Sequence, residues 1–177
     1  MQGETRPITI GIKTLIWSIV VGGTVTVVIP YLLLALTGAS PSARPPAFRL
    51  FGLVLIFFGA LIYAWSVWTF TFVGKGTPAP FDPPKELVVK GPFRYVRNPI
   101  YVFIIIVLVG EAILLQNSAL VIYTALAILF LHLWVVFYEE PTLRKRFGKS
   151  YEVYCASVSR WFPRLPSLRD KTRRRLR

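Results

Sequence analysis

The residues that could do chemistry together are a basic residue beside an amide and, later in the chain, a pair of carboxylates. Arg97-Asn98 stands just before one apolar segment, and Glu139-Glu140 stands just after another. A guanidinium and an amide suit a ligand carboxylate, whereas paired carboxylates suit an ammonium group or hydroxyls. Tyr101 and His132 add a phenol and an imidazole within the apolar segments. Together these groups predict a site for a zwitterionic ligand that carries a flat ring.

Each of these residues also has an ordinary structural alternative. Arg97 could extend its side chain to the membrane edge. Glu139-Glu140 could simply begin a helix, where acidic residues suit the helix dipole. His132 could bond a backbone carbonyl, and Tyr101 and Tyr138 could belong to the aromatic belt of a membrane protein. The combination of groups, rather than any single residue, favours a binding site.

The composition indicates the environment in which this site must be built. The 177-residue chain is 54% hydrophobic and only 16% charged, against about 25% charged residues in ordinary soluble domains. Neither the stretch between Lys13 and Arg44 nor that between Arg49 and Lys75 contains Asp, Glu, Lys, Arg or His. Both stretches exceed the roughly 20 apolar residues that cross a bilayer. The sequence therefore predicts an integral membrane protein and excludes a soluble α/β enzyme.

The residue counts exclude several kinds of site. With one cysteine, Cys155, and one histidine, the chain cannot assemble the usual four Cys and His ligands of a zinc site, so no metal site is predicted. The only aspartates, Asp82 and Asp170, lie outside the apolar stretches, which argues against a buried Ser–His–Asp triad.

Hydropathy predicts an all-α, polytopic membrane fold in a single domain. A C-terminal amphipathic stripe, from Leu143 to Val158, follows the last span and is interrupted at Gly148. The predicted division is 1–74 for the first two helices, 75–98 for a loop, 99–140 for a helical hairpin, 141–163 for the amphipathic segment and 164–177 for a basic tail. The four spanning helices are predicted at Ile10 to Leu36, Phe48 to Val73, Pro99 to Gln116 and Ser118 to Tyr138.

The distribution of charge predicts the orientation. The net charge is +13, with twelve Lys or Arg between Arg144 and Arg177, five in the loop between Gly74 and Asn98, and none in the turn around Asn117. Because basic loops stay on the cytoplasmic side, we expect both termini, the long loop and the active site to be cytoplasmic. The basic tail is expected to contact anionic lipids. No nucleic-acid recognition motif accompanies the charge, so nucleic acid is not an expected partner.

The predicted hairpin brings the candidate residues together. If it turns at Asn117, Tyr101 lies level with His132, and Arg97-Asn98 lies level with the end of the fourth helix. His132 and Glu139 are seven residues apart and share one helical face. All of these residues are then expected near the cytoplasmic end of the bundle, with the loop and the amphipathic segment covering them.

Two stretches of the chain resemble a known family. The run from Gly91 to Tyr101 is similar to the G-x-Y-x-x-x-R-H-P-x-Y signature of the isoprenylcysteine carboxyl methyltransferases and related membrane phospholipid methyltransferases. One departure is Asn98, which stands where the signature has histidine and which cannot carry a charge. A second stretch is similar to the family's C-terminal motif. Its matching residues are Glu139-Glu140-x-x-Leu143, Phe147-Gly148, Tyr151, Tyr154, Val158, Arg160 and Pro163.

The resemblance implies S-adenosyl-L-methionine as cofactor, with S-adenosyl-L-homocysteine as product. Arg97 and Asn98 would hold the cofactor's carboxylate, and Glu139 and Glu140 its ammonium and ribose hydroxyls. Tyr101 and His132 would line its methionine side. The wall around the adenine would be formed by Val89, Lys90, Gly91, Tyr95 and Tyr138, and Pro99 would be a further cofactor-binding residue.

The resemblance also implies a division of catalytic roles. Arg160 would hold a carboxylate acceptor, which needs no base. An amine or thiol acceptor would need Glu140 or His132 to take its proton. The acceptor is expected to be lipophilic and to enter sideways from the bilayer, with Glu111, Trp65 and Trp68 as candidate substrate residues.

The leading hypothesis is an isoprenylcysteine carboxyl methyltransferase-like enzyme that acts on a lipophilic carboxylate or thiol. A phospholipid amine N-methyltransferase is the first alternative. An NADPH-dependent membrane reductase with a similar hairpin and a non-catalytic membrane scaffold are the others. The sequence names neither the acceptor nor the oligomeric state.

Overall fold

The computed structural model describes residues 7–38, 45–77 and 84–163. The predicted basic tail at 164–177 and the proline-rich stretch at 78–83 lie outside these residues. The described part of the chain is built from helices, with a single isolated parallel bridge between Val96 and Ser159. In chain order the α-helices are α1 (Pro7–Trp17), α2 (Ile29–Thr37), α3 (Pro46–Gly74), α4 (Pro99–Leu115), α5 (Ser118–Trp134), α6 (Glu140–Phe147) and α7 (Lys149–Ser157).

Among the described residues, three continuous helical runs are long and apolar enough to cross a membrane. They are Thr9–Thr37, called the first span below, Pro46–Gly74, and Ser118–Phe147, called the final span. Helix α4 is apolar but shorter. The predicted all-α integral membrane fold is confirmed.

The final span does not end at Tyr138 as predicted but continues to Phe147. Its continuity depends on a π-helical stretch, Val135–Glu139, that precedes Pro141. Proline lacks an N–H and clashes with the carbonyl four residues earlier, and a π-helical turn relaxes that bonding pattern. Pro30 follows a second such stretch, Thr24–Val28, in the first span.

Helices α3 and α4 pack with their backbones in close approach. A β-carbon on Gly52 would lie 2.8 Å from the Gly110 carbonyl oxygen. A β-carbon on Gly110 would likewise lie 2.8 Å from the Gly52 carbonyl oxygen. Small residues allow this kind of contact between membrane helices. The resulting helix pair positions the start of α4.

The turn between α4 and α5 falls at Gln116-Asn117, as predicted. Gln116 adopts a left-handed conformation (φ 52°). The Asn117 side chain accepts a hydrogen bond from the Ala119 N–H at 2.8 Å and donates one to Thr37 Oγ1 at 3.0 Å. The turn therefore caps α5 and joins the hairpin to the end of α2.

The C-terminal amphipathic segment folds back onto the linker that precedes α4. Gly148 (φ 51°) ends α6 at the predicted break. Tyr151, Tyr154 and Val158 are buried in a cluster with Leu87, Leu143 and Phe147. This cluster covers one end of the hairpin.

Candidate active site

Helix α4 begins at the site, and the linker before it supplies the first charged group. Pro99 occupies the first turn of α4, where its missing N–H costs nothing. Asn98, which is 7% exposed, precedes it and donates from Nδ2 to the Arg160 carbonyl oxygen at 3.3 Å. The Arg97 N–H donates to the Ser159 carbonyl oxygen at 2.9 Å. Two backbone contacts of the C-terminal segment thus fix the Arg97-Asn98 pair.

Glu140 lies between two guanidinium groups. Its Oε1 lies 3.3 Å from Arg97 Nη1 and 2.6 Å from Arg160 Nε, and its Oε2 accepts from Arg160 Nη2 at 2.9 Å. The Glu140 side chain is 6% exposed and that of Arg97 10%, whereas that of Arg160 is 31% exposed. Hydrogen bonding by Glu140 raises the pKa of the Arg160 guanidinium, so this residue is charged at neutral pH.

The Arg97 guanidinium has a hydrogen-bond donor that a ligand could use. Its Nη1 contacts the Cys155 sulfur. Its Nε is buried and has no hydrogen-bond partner among the described residues. A buried donor without a partner is uncommon in proteins and requires an explanation.

The neighbouring carboxylate, Glu139, is held separately. Its Oε2 accepts a hydrogen bond from the Tyr101 hydroxyl at 2.9 Å. Counting along the hairpin had placed Tyr101 level with His132. The phenol instead reaches Glu139, because side chains on a helix lean toward its N-terminus.

His132 contacts the C-terminal segment rather than the two glutamates. Its Nδ1 accepts from Trp161 Nε1 at 3.2 Å, and the centroids of the two rings lie 6.0 Å apart. Trp161 follows Arg160 directly, so this bond helps to hold the segment that carries Arg160. Trp161 was not among the predicted residues, and a single indole without a spacing pattern offers no signal for such a role.

One tyrosine bonds the covering segment to the linker, and a second is buried beside it. The Tyr154 hydroxyl donates to the Phe93 carbonyl oxygen at 2.6 Å. Burial raises the pKa of both Tyr151 and Tyr154, so each phenol is neutral at physiological pH. The predicted stripe therefore serves as the cover of the charged cluster.

The residues predicted around an adenine ring lie along the linker and the final span. Val89, Lys90 and Tyr138 are exposed, and Tyr95 is half-buried with the Arg94 guanidinium 5.2 Å from its ring centroid. Gly91 has a φ of 56°, and a β-carbon there would lie 2.8 Å from Thr69 Oγ1. This glycine lets the linker approach α3.

Three predicted substrate residues lie away from the charged cluster. Trp65 and Trp68 are exposed on the outer face of α3. Glu111 is ten residues beyond Tyr101 on α4, about 15 Å along the helix axis. Its Oε2 is buried without a hydrogen-bond partner among the described residues.

The fold and this cluster define an integral membrane protein whose candidate site lies where a helical hairpin meets its C-terminal cover. Residues 48–150 match the family described as phospholipid methyltransferase. The match spans more than half of the chain, which therefore belongs to this family of membrane methyltransferases, part of the isoprenylcysteine and phospholipid methyltransferase superfamily. The resemblance found in the sequence is confirmed. None of the curated proteins compared with the chain matches it.

The matched segment includes Arg97, Asn98, Tyr101 and the two glutamates. It ends at residue 150, near the start of α7. Arg160 and Trp161 lie beyond it. Their association with the site depends on the contacts described above.

Proposed function

We propose that this protein is an S-adenosyl-L-methionine-dependent methyltransferase that acts on a lipophilic acceptor at the cytoplasmic face of the membrane. The observation that carries the proposal is the placement of Glu140 between Arg97 and Arg160 under a helical cover. The charge count of the loops supports the cytoplasmic orientation.

The charges around Glu140 fit a ligand that carries a carboxylate. Two guanidinium groups face one carboxylate, so the trio of Arg97, Arg160 and Glu140 has one positive charge in excess. The buried Nε of Arg97 also lacks a partner among the described residues. A second carboxylate would supply both the missing charge and the missing acceptor.

The other groups suit the remaining parts of the cofactor. Glu139, oriented by the Tyr101 hydroxyl, would accept hydrogen bonds from an ammonium group or ribose hydroxyls. When bound, S-adenosyl-L-methionine supplies an electrophilic methyl group on a positively charged sulfur. The buried cluster of Tyr151, Tyr154 and Val158 would exclude water from the reacting groups.

Arg160 would hold the acceptor. Its guanidinium is the more exposed of the two, and it is permanently charged. A carboxylate acceptor is ionised at neutral pH, and one of its oxygens would form the new bond to the methyl carbon. The bonding pair would remain on the sulfur, which becomes neutral, so no residue of the chain has to move a proton. Positioning would then account for most of the catalysis.

A phospholipid amine is the second candidate acceptor, and the family match favours it. Unlike a carboxylate, an ammonium group must lose a proton before it can attack the methyl group. Glu140 or His132 would have to take that proton. A carboxylate or thiol acceptor remains the leading proposal because the Arg160 guanidinium, the more exposed of the two, could hold an anionic group.

Binding measurements test the cofactor assignment. Titration calorimetry with the detergent-purified protein should show binding of S-adenosyl-L-homocysteine, and no binding of NADPH. The double variant Glu139→Ala, Glu140→Ala should lose at least about tenfold in affinity, or about 1.4 kcal/mol. Glu152→Ala, on an exposed surface of α7, is the matched control and should bind like the wild type.

The other outcomes separate the alternatives. Binding of NADPH alone would indicate a reductase, and binding of neither ligand would indicate a scaffold. Transfer of a radiolabelled methyl group from S-adenosyl-L-methionine into a panel of prenylated thiols, lipophilic carboxylates and phospholipids would identify the acceptor.

A further inference from the structure

The final span changes its helical register just before the two glutamates. From Val135 to Glu139 the backbone is π-helical, and the Glu140 N–H donates to the Val135 carbonyl oxygen, five residues earlier. A turn closed by such a bond holds one residue more than an α-helical turn. Side chains beyond the stretch are therefore rotated by about one residue, or about 100°, relative to an uninterrupted α-helix.

This rotation decides which side chains share a face of the final span. In a regular α-helix His132 and Glu139, seven residues apart, would lie on one face, as the sequence analysis expected. The π-helical stretch places His132 about 120° from Glu139 around the helix axis and brings Trp134 to within about 40° of it. In agreement with this, His132 bonds Trp161 of the covering segment.

The Tyr101 hydroxyl on α4 joins the two side chains that the rotation brings together. It donates to Glu139 Oε2 at 2.9 Å. The Trp134 side chain lies within hydrogen-bonding reach of the same hydroxyl. An indole N–H can only donate, whereas a phenol oxygen both donates and accepts. The chain of hydrogen bonds therefore has one direction, from Trp134 to Tyr101 and from Tyr101 to Glu139.

Neighbouring rings hold the Trp134 indole in place. Its ring centroid lies 4.4 Å from that of Tyr138 and 6.3 Å from that of Phe130. The indole is half-buried, whereas the two outer rings of this row are exposed. Packing between them restricts the rotamers of Trp134 and keeps its N–H beside the Tyr101 hydroxyl.

We propose that Trp134 is a positioning residue for the cofactor and acts on Glu139 through Tyr101, an inference that rests on the proposed function. With the indole N–H on one side of the phenol oxygen, the hydroxyl proton is directed to Glu139 Oε2. That bond holds the carboxylate in one orientation and leaves Oε1 for a ligand. The π-helical stretch is the feature of the fold that puts Trp134 within reach.

A substitution that removes only the indole N–H tests this role. Trp134→Phe keeps a ring against Tyr138 and should weaken the binding of S-adenosyl-L-homocysteine by about threefold to tenfold, as expected for the loss of one neutral hydrogen bond. Calorimetry with the detergent-purified protein measures the affinity. Trp68→Phe is the matched control, because Trp68 is exposed and packs on the Phe72 ring at a centroid distance of 4.2 Å. The control should bind like the wild type.

Two analogues of the cofactor product separate positioning from a general loss of packing. One lacks the amino group of S-adenosyl-L-homocysteine and the other lacks its ribose hydroxyls, which are the groups that Glu139 is proposed to bind. Trp134→Phe should lose less affinity for at least one of these analogues than for S-adenosyl-L-homocysteine itself. An equal loss for all three ligands would indicate altered packing and contradict the positioning role.

The indole resonance of Trp134 tests the contact without a ligand. With isotope-labelled tryptophan in detergent micelles, the Trp134 indole signal is identified by its loss in Trp134→Phe. Tyr101→Phe removes the hydroxyl beside the indole and should shift this signal, whereas the Trp68 signal should stay in place. An unshifted Trp134 signal would mean that the contact does not form, and the proposal would be wrong.

The measurements distinguish a failure of this proposal from a failure of the proposed function. If the wild type and Trp134→Phe bind S-adenosyl-L-homocysteine equally well, the positioning role is wrong and the proposed function stands. If the wild type does not bind S-adenosyl-L-homocysteine, the proposed function is contradicted. The positioning role is then contradicted with it, even where Tyr101→Phe shifts the indole signal.

Discussion

At the scale of single residues, Glu140 links the structure of the site to its proposed chemistry. It is the shared partner of Arg97 and Arg160, and it is almost completely buried. Removing one member of a buried ion pair typically costs about 3–5 kcal/mol, because a charge is left uncompensated. Loss of Glu140 is therefore expected to destabilise the site as well as to weaken binding. Arg160 is the more informative position, because Arg97 continues to neutralise Glu140 when Arg160 is replaced.

Arg160→Ala should abolish methyl transfer and leave the affinity for S-adenosyl-L-homocysteine within a few-fold of the wild type. The reason is that Arg97, not Arg160, is the proposed partner of the cofactor's carboxylate. Turnover measured by radiolabel transfer and affinity measured by calorimetry separate the two effects. Arg160→Lys keeps the charge but cannot form the bidentate hydrogen bonds of a guanidinium. It should therefore retain partial activity. Unchanged turnover in the alanine variant would remove Arg160 from the mechanism.

Tyr154→Phe should lower the stability of the protein by about 1–3 kcal/mol, since it leaves the buried Phe93 carbonyl without its partner. Thermal unfolding in detergent measures the effect. Tyr138→Phe changes an exposed phenol on the final span and serves as the control. If both variants unfold at the wild-type temperature, the bond between the cover and the linker contributes nothing to stability.

The sequence predicted some of these contacts and could not predict others. The proximity of Arg97 to Glu140 follows from a hairpin turn at Asn117 and from counting residues back from it. The bond from Trp161 to His132 and the pairing of Val96 with Ser159 join distant segments through single residues. No periodic pattern marks such contacts, so they emerge only when the cover is folded onto the linker.

At the scale of helices, prolines and glycines decide the shape of the bundle. Pro30 and Pro141 each follow a five-residue π-helical stretch inside a continuous span. Among the described residues, three of the four helices predicted as spans are long and apolar enough to cross a membrane, and α4 is shorter. The last span continues past its predicted end because polar residues after Tyr138 continue the same helix. Helical continuity past a proline depends on backbone hydrogen bonding, which composition does not report.

Gly110→Ala should destabilise the α3–α4 pair by about 1–3 kcal/mol through overpacking, since its β-carbon would meet backbone atoms of Gly52 and Ile56. Backbone atoms cannot move aside as a flexible side chain can. Gly23→Ala is the matched control, because a β-carbon there meets nothing within 4 Å. Both changes raise helix propensity by about 1 kcal/mol, so the difference in thermal stability between the variants isolates the close approach. Equal stability would mean that the helices can separate without cost.

At the scale of the whole molecule, the fold separates two chemically different ends. The charged cluster and its cover lie at one end of the α4–α5 hairpin, and the uncharged turn at Asn117 lies at the other. The sequence carries five basic residues in the loop between Gly74 and Asn98, which leads into this first end, and twelve from Arg144 onward. Because basic segments are retained in the cytoplasm during insertion, the proposed cofactor site should face the cytoplasm, where a soluble cofactor is available to it.

Labelling of single cysteines in intact cells tests this orientation. In a Cys155→Ser background, Ser118→Cys places a thiol at the uncharged turn and Lys149→Cys places one at the start of α7, and both positions are exposed. A membrane-impermeant maleimide should label residue 118 in intact cells, and residue 149 only after the cells are permeabilised. The Cys155→Ser protein without an added cysteine measures background labelling. The reverse pattern would place the Arg97–Glu140–Arg160 cluster outside the cell, in conflict with a cytoplasmic methyl donor.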